Sequence, residues 1–236
     1  MEQKEANFMK SVRNYISLYG YKHFYDPVPP KKGKILPETI QLEKVKADIS
    51  EYESDVKKSI EKHEKLYKRF KDYPNIEMLI YRYDTMGFLN NISLSVHPSL
   101  KKKWEITHEM FGAFYNSDYP YCSLFPDLED SLGNVMNFKP KKDMVILVNP
   151  PYTQPFIKWT IKKLLEWKDK SKFIVILPVW DKKTRTELKL KGYPDLPEIR
   201  ELIDNSDSST VENIPFYDGL NNKKVFLKDP VHIIVL

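Results

Sequence analysis

The tetrapeptide Asn-Pro-Pro-Tyr at residues 149–152 is the stretch of the sequence best suited to chemistry. An asparagine amide oxygen and a proline carbonyl both accept hydrogen bonds, so Asn149 and Pro150 can hold the two N–H groups of an amine. Tyr152 adds an aromatic face on which a nucleobase can stack, an interaction worth roughly 1–3 kcal/mol. These residues predict a loop that holds an amine together with the ring that carries it.

Such a loop suits methylation of a nucleobase amine. The lone pair of an exocyclic amine is delocalised into the ring, which makes the nitrogen a poor nucleophile. Two acceptors on its hydrogens favour the tetrahedral nitrogen that the transition state needs, and the base must be unpaired or leave its duplex to reach them. The alternative is a rigid strand-to-helix turn in which the adjacent prolines remove two backbone donors and Pro155 starts the helix.

Two short apolar runs place the tetrapeptide at the end of a central strand. Residues 144–148 and 173–177 are β-branched and apolar on both faces, as buried parallel strands are. The segment between them has Phe156, Ile161 and Leu164 on one helical face and lysines on the other. This pattern predicts a βαβ unit in a doubly wound α/β sheet. Ligands bind at the carboxyl ends of such strands, which is where the tetrapeptide stands.

The N-terminal third has a different pattern. Residues 1–75 are strongly charged and predict a helical region, followed by a second domain at 76–236. Apolar residues recur every three or four positions over 42–70, which predicts a long amphipathic helix to about Lys71. This face would suit either a coiled-coil dimer or packing on the following domain. We favour packing, and a monomer, because His63 is a poor seam residue and fits a packed or half-exposed position better.

Two further predictions concern the C-terminal third. The polar segment 203–210 is expected to be a loop. Residues 221–236 contain two apolar runs separated by a turn, which predicts a terminal pair of strands.

Composition narrows the classes of function. A 236-residue chain with 41% hydrophobic residues can bury a substantial core. No apolar run approaches the roughly 20 residues of a membrane helix, and the N-terminus lacks the apolar region of a signal peptide. We therefore expect a soluble intracellular protein without a membrane partner. The single cysteine, Cys122, excludes an intramolecular disulfide and is interpreted as a small core residue.

Charge and glycine content bear on the ligands. The net charge of +5 and the lysine-rich segments 101–103, 139–143 and 162–172 permit a nucleic-acid partner without establishing one. None of the seven glycines forms a G-x-G pair, which excludes the Rossmann glycine fingerprint and the P-loop. The scattered histidines have no zinc-like spacing, so we expect no metal.

The tetrapeptide resembles the catalytic motif of amino methyltransferases that use S-adenosylmethionine, including the adenine-N6 enzymes. Further stretches resemble the cap-specific adenosine-N6 methyltransferases related to the phosphorylated CTD-interacting factor. They are YRYDTMG (81–87), EMFGAFYN (109–116), YCSLFPDLEDSLG (121–133), FIVILPVW (173–180), IPFYDG (214–219) and VHIIVL (231–236). The likeness covers about residues 76–236.

The resemblance implies a Rossmann-like S-adenosylmethionine-dependent methyltransferase sheet with an N-terminal helical appendage. It implies that the catalytic residues are Asn149, Pro150, Pro151 and Tyr152. It implies that the cofactor is held by Phe111, Gly112, Asn116, Phe125, Asp127 and Asn149, with Asp127 on the ribose hydroxyls. Substrate contacts are expected from Tyr152, Trp180 and Phe216, with Tyr217 as a further lining residue.

The sequence departs from the family pattern in two respects. Ala113-Phe114 stands where the family has Ser-Pro, in the loop expected beneath the methionine part of the cofactor. The chain also lacks the two-tryptophan pattern of a WW domain, so none is expected. No general base is evident, and none is required before methyl transfer because the amine can lose its proton afterwards.

Three functions are compatible with these residues. The first is methyl transfer to N6 of adenosine in RNA, at the cap-proximal adenosine of mRNA, with the capped 5′ end as partner. The second uses the same site on adenine in DNA. The third is a catalytically silent methyltransferase-fold module that binds RNA, suggested by the altered 113–114 segment.

The composition would suit an AT-rich genome, such as that of a large DNA virus or a protist. The sequence does not distinguish nucleus from cytoplasm.

Overall fold

In the described part of the chain three helices come first, helices and strands are mixed in the middle, and four strands come last. The computed structural model describes residues 49–85, 88–90, 94–125, 128–152, 154–190, 194–227 and 229–236. The helices are α1 (Ile49–Lys62), α2 (Glu64–Arg69), α3 (Ile76–Thr85), α4 (Pro98–Lys103), α5 (Gln154–Trp167), α6 (Lys182–Glu187) and α7 (Pro197–Asp204), with 3-10 turns at Phe88–Asn90 and Val135–Asn137. The strands are β1 (Leu94–Val96), β2 (His108–Glu109), β3 (Val145–Val148), β4 (Lys172–Pro178), β5 (Asp207–Val211), β6 (Pro215–Asp218), β7 (Lys223–Phe226) and β8 (Val231–Val235).

The larger sheet has five strands in the order β2-β3-β4-β8-β5. Strands β2, β3 and β4 are parallel, and β8 runs antiparallel to both β4 and β5. Helix α5 connects the parallel neighbours β3 and β4. The predicted βαβ unit and the mixed α/β class are therefore confirmed, whereas the Rossmann-like methyltransferase fold stays a prediction.

The segment that follows β2 lies on one side of it in the sheet, and β3 lies on the other side. Glu109 is bridged in parallel to Tyr121 on one side and paired with Leu147 of β3 on the other. Its N–H donates to the carbonyl of Pro120 at 2.9 Å, and its carbonyl accepts from the N–H of Cys122 at 3.1 Å. The chain thus passes to one side of β2 before returning to β3 on the opposite side. Such a switch point leaves a crevice at the carboxyl ends of the strands, where ligands bind in α/β sheets.

Both faces of the larger sheet are covered. Alternate residues point to opposite faces of a strand. One set packs with α5 and α7 and includes Ile146, Val148, Phe173 and Val175. The other set, which includes Leu147, Ile174 and Ile176, packs against Phe216 and its neighbours in a smaller antiparallel sheet of order β1-β6-β7. Fully burying a side chain of this kind contributes about 1.5–3 kcal/mol, so the two cores hold the ends of β2 and β3 in place.

The predicted N-terminal helix is interrupted within the described residues. α1 ends at Lys62 and α2 runs from Glu64 to Arg69, so a single helix to Lys71 is wrong. His63 lies at the break, partly buried as expected, with its Nε2 at 2.9 Å from the Asp84 carboxylate of α3. Lys62 and Ser59 bind the same carboxylate at 2.7 and 3.0 Å. This polar cluster is a tertiary feature that helical periodicity cannot predict.

Helices α2 and α3 form a third core with residues 113–115, 124, 125 and 128, and α1 packs on α3. Leu66 of α2 is buried with Ile76 and Leu79 of α3, in the packed arrangement that the sequence favoured. Residues 42–48 of the predicted helix lie outside the described residues. The domain boundary after residue 75 stays a prediction, and α3 begins just beyond it while packing on α1 and α2.

Two C-terminal predictions are wrong. Residues 203–210 contain the end of α7 and most of β5, which pairs with β8. β5 is polar because it is an exposed edge strand, so hydrophobicity could not reveal it. β7 and β8 are both strands, but β7 pairs with β6 in the smaller sheet and β8 lies between β4 and β5. The two apolar runs therefore belong to different sheets and form no terminal pair within the described residues.

Candidate active site

The tetrapeptide lies where the crevice was expected. β3 ends at Val148, and the next four residues line a cavity beside the end of β2. The cavity volume is about 260 Å³, which is just below the range of roughly 300–1,000 Å³ that is typical of ligand pockets. Eight predicted site residues line it: Phe111, Gly112, Asn116, Asn149, Pro150, Pro151, Tyr152 and Phe216. The structure thus brings together the predicted catalytic residues and four of the six predicted cofactor residues.

The side-chain amide of Asn149 is oriented by the smaller sheet. Its Nδ2 donates to the carbonyl oxygen of Leu94 in β1 at 3.1 Å. The Tyr152 hydroxyl lies 3.4 Å from its Oδ1. With the amide nitrogen bound to Leu94, the amide oxygen accepts from the Tyr152 hydroxyl and keeps a second lone pair for a ligand. Burial raises the pKa of Tyr152, which keeps the phenol neutral and able to donate.

Trp180 and Phe125 do not line the cavity. The Trp180 ring packs edge-to-face on Tyr152, with centroids 6.3 Å apart. Trp180 therefore supports the tyrosine from behind. Phe125 is fully buried, with its ring 4.8 Å from that of Tyr83. Asp127 lies outside the described residues.

The segment 111–116 makes a tight turn that requires glycine. A Cβ on Gly112 would lie 2.0 Å from Ser117 Oγ and 2.8 Å from Tyr121 Cβ, so no other residue fits without a shift. The Gly112 N–H donates to the Cys122 carbonyl at 3.1 Å. Asn116 Oδ1 accepts from the Ala113 N–H at 2.9 Å and closes the turn. Cys122 is buried as predicted, and burial raises its pKa to about 12.

Phe114 joins this turn to the N-terminal helices. Its ring is 5.2 Å from that of Phe70 and 5.5 Å from that of Tyr73, with Tyr83 of α3 at 5.9 Å. Arg69 of α2 also donates to the carbonyl of Gly219, whose backbone packs on residues 115 and 116. The helices therefore contact the candidate cofactor turn directly, and Phe114 is a packing residue there.

Comparison with known proteins gives the family. A family model described as "Phosphorylated CTD interacting factor 1 WW domain" matches residues 49–193, more than half of the 236-residue chain. The chain belongs to this family. A search of the curated proteins found no match. The segment matched to the phosphorylated CTD interacting factor family contains α1–α3, the 111–116 turn, the tetrapeptide and α5. The expectation that the chain lacks a WW domain stays a prediction.

The family segment holds a buried carboxylate that the sequence analysis missed. Glu129 accepts from the hydroxyls of Tyr83, Tyr121 and Ser123 and from the Phe114 N–H at 2.5–2.8 Å. Burial raises the pKa of Glu129, and the four donors act in the opposite direction. The carboxylate ties the turn to α3 and to the 121–123 segment. In sequence, Glu129 is an ordinary acidic residue in a turn-rich run, and nothing local distinguishes it.

A second missed group lies at the end of β2. Lys101 Nζ is fully buried, 2.9 Å from both Glu109 carboxylate oxygens and 2.7 Å from Asp118 Oδ2. Glu109 Oε1 also accepts from the Asp118 N–H at 2.8 Å, and Glu109 lines the cavity. Burial raises the pKa of Glu109, while the ammonium opposes that shift. The lysine run at 101–103 was interpreted as basic surface, which is wrong for Lys101.

Two further findings concern membrane spans and metal sites. Among the residues that the structure describes, no helix is long and apolar enough to cross a membrane. Among the same residues, no group of three or more histidine, cysteine, aspartate or glutamate side chains is placed to hold a metal ion.

Proposed function

We propose that the protein transfers a methyl group from S-adenosylmethionine to the N6 amine of adenosine in RNA, at the cap-proximal adenosine of mRNA. The observation that carries this proposal is the orientation of Asn149. Its amide nitrogen is held by Leu94, and its oxygen is left to accept from an amine inside the cavity. A loop that served only as a strand-to-helix turn would not need a hydrogen bond between this amide and a strand of the other sheet.

The surroundings of the cavity support a bound S-adenosylmethionine. The cavity lies at a topological switch point and has both aromatic walls, such as Phe111 and Phe156, and polar groups, such as Ser123 and Asn134. Phe111, Gly112 and Asn116 would hold the cofactor, which supplies an electrophilic methyl group on a sulfonium. We infer a Rossmann-like methyltransferase fold from the same switch point and from the parallel order of β2, β3 and β4.

The chain's own residues would act on the base. Asn149 Oδ1 and the Pro150 carbonyl oxygen accept hydrogen bonds from the two N–H groups of the amine. These bonds direct the nitrogen lone pair towards the methyl group. The Tyr152 ring stacks on the base, and Trp180 keeps that ring in place. When bound, the cofactor would supply its methyl group to the nitrogen while the electrons of the S–C bond stay on sulfur, and the nitrogen would then lose one proton. The proton is released after transfer, so no buried base is required.

Two alternatives share parts of this site. DNA adenine would fit the same acceptors. A silent RNA-binding module would keep the fold without binding the cofactor, because Phe114 replaces the proline of the related enzymes. Membership in the phosphorylated CTD interacting factor family, together with the sequence resemblance to cap-specific enzymes, favours the RNA reaction.

Two measurements separate these functions. Capped RNA beginning with adenosine, the same RNA without a cap, and single-stranded DNA are each incubated with the full chain and S-adenosylmethionine, and N6-methyladenosine is quantified by nucleoside mass spectrometry. We expect product on capped RNA first; product on DNA alone would contradict the proposal. Calorimetry with S-adenosylhomocysteine tests the silent module, which predicts no binding at millimolar ligand.

A further inference from the structure

The outer face of the smaller sheet carries an aromatic residue that contributes nothing to the core. Phe226 of β7 is 56% exposed, more than any other large hydrophobic side chain whose burial the structure describes. Val225, the preceding residue, points inward and packs with Phe216. A single exposed phenylalanine is common on protein surfaces, so the residues around Phe226 decide whether this face could bind a partner.

Strand register places a lysine and a tyrosine beside it. Lys224 lies two residues before Phe226 on the same face, with its Nζ 4.8 Å from the ring centroid. Tyr217 of β6 is directly opposite Lys224 in the antiparallel pair. Lys223 is exposed at the start of the strand, and residues 219–227 contain no acidic residue. The face therefore combines aromatic rings with positive charge.

This face continues into the candidate active site. Ser95 of β1 pairs with Tyr217 on the same side of the sheet, and Ser95 lines the cavity. Leu227, which follows Phe226 and packs on the inner face with Val225, lines the cavity as well. A chain lying across this face would have its next unit within reach of Asn149.

We propose that Phe226, Lys224 and Tyr217 form a platform for single-stranded nucleic acid, on which the nucleotide next to the target base stacks. Aromatic rings on a sheet surface bind unpaired bases by stacking, and neighbouring lysines bind the phosphates. The inference rests on the proposed function, because it assigns the path by which a polynucleotide reaches the same cavity. We assign RNA as the occupant, in line with the proposed function; single-stranded DNA has the same stacking and phosphate chemistry and is the comparison in the test.

The test measures binding separately from methyl transfer. Fluorescence anisotropy of a labelled 12-nucleotide single strand, as RNA and as DNA, is followed with the full chain and its variants. We expect Phe226→Ala to weaken binding roughly 5- to 100-fold, as loss of one stacked base does. Phe226→Trp should retain affinity, and Phe226→Leu, which keeps an apolar group without a stacking face, should not. Lys224→Gln should lower the salt slope by about 0.7, one phosphate contact.

A matched control guards against general effects. Leu188 is the C-cap of α6, is 41% exposed and lies outside the smaller sheet. Leu188→Ala should therefore bind nucleic acid like the unmodified chain. Unchanged affinity in Phe226→Ala and Phe226→Leu, or no binding of either single strand by the unmodified chain, would overturn the platform. Methyl transfer with an unchanged KM in Phe226→Ala would overturn the platform while leaving the proposed function intact. Phe226-dependent binding without methyl transfer would support the platform and count against the enzyme.

Discussion

Asn149 is held by Leu94, a residue 55 positions earlier in the chain, through an Nδ2-to-carbonyl hydrogen bond of 3.1 Å. The bond joins the end of β3 in the larger sheet to β1 in the smaller one. It fixes which atom of the amide faces the cavity, so the acceptor is preorganised before any ligand arrives. The smaller sheet thus takes part in building the site.

Asn149→Ala removes this acceptor. We expect kcat for methyl transfer to fall at least about 100-fold, as when one preorganised hydrogen-bonding group is lost from a transition state. The circular dichroism spectrum should be unchanged, because Asn149 is only partly buried. A variant with full activity would remove Asn149 from the mechanism.

Asn149→Asp separates orientation from simple acceptor capacity. An ionised aspartate keeps two acceptor oxygens but cannot donate to the Leu94 carbonyl. We expect a loss of kcat with the fold intact, since the carboxylate must turn away from that carbonyl. Activity equal to that of the unmodified chain would show that the Leu94 contact does not position the group.

Phe114→Ala tests whether the N-terminal helices hold the 111–116 turn. Truncating a buried phenylalanine typically costs about 3–5 kcal/mol, and here it also breaks ring contacts with Phe70, Tyr73 and Tyr83. Urea unfolding should show that loss, and calorimetry on the folded variant should show weaker S-adenosylhomocysteine binding. Phe114→Leu, which keeps most of the volume, should recover much of both. Cofactor affinity that is unchanged in both variants would contradict the role of Phe114 in the turn.

Lys101→Met leaves Glu109 buried without its ammonium partner. Breaking a buried pair by removing one member costs about 3–5 kcal/mol, and both side chains are almost completely buried. The double variant Lys101→Met, Glu109→Gln should be more stable than Lys101→Met alone, because it no longer buries an uncompensated carboxylate. Additive losses in a double-mutant cycle measured by urea unfolding would show that the two residues are not coupled.

The buried pair Asp181–His232 should make stability fall on acidification. Burial lowers the pKa of His232, with Arg200 adding to that effect and Asp181 opposing it. The unfolded chain therefore takes up a proton first as the pH falls below about 6.5, and the folded state loses stability. Asp181 acts in the same direction: burial raises its pKa, but the bonds from Thr184 and His232 outweigh this and lower it. Its contribution is present above about pH 4 and is lost as the pH falls through the folded value.

The comparison that checks this uses His232→Gln. Thermal or urea unfolding of both chains is measured from pH 7.5 to 5. The unmodified chain should lose more stability over this range, whatever the difference between the two chains at pH 7.5. Parallel curves would contradict the assignment of the buried neutral histidine.

The parts of the fold that the sequence predicted are those with strong local patterns. β3, α5 and β4 form continuous apolar or periodic segments, so their types and parallel pairing followed from residues 144–177 alone. The position of Asn149 at a carboxyl strand end followed in turn. β5 was missed because an exposed edge strand needs no apolar residues, and its structure comes from the bonds to β8.

The parts of the site that were missed depend on distant partners. Leu94 acts through its backbone carbonyl, which no side-chain pattern reveals. Lys101 looks like its exposed neighbours Lys102 and Lys103 until Glu109 and Asp118 are brought to it. Phe114 appeared only as a departure from a related sequence, and its packing against α2 and α3 became visible with the helices in place.

The most direct test of the account is nucleoside mass spectrometry of capped RNA beginning with adenosine after incubation with S-adenosylmethionine and either the unmodified chain or Asn149→Ala. We expect N6-methyladenosine with the unmodified chain and at least about 100-fold less with the variant. Absence of product with a chain that binds S-adenosylhomocysteine, or equal product from both chains, would contradict it.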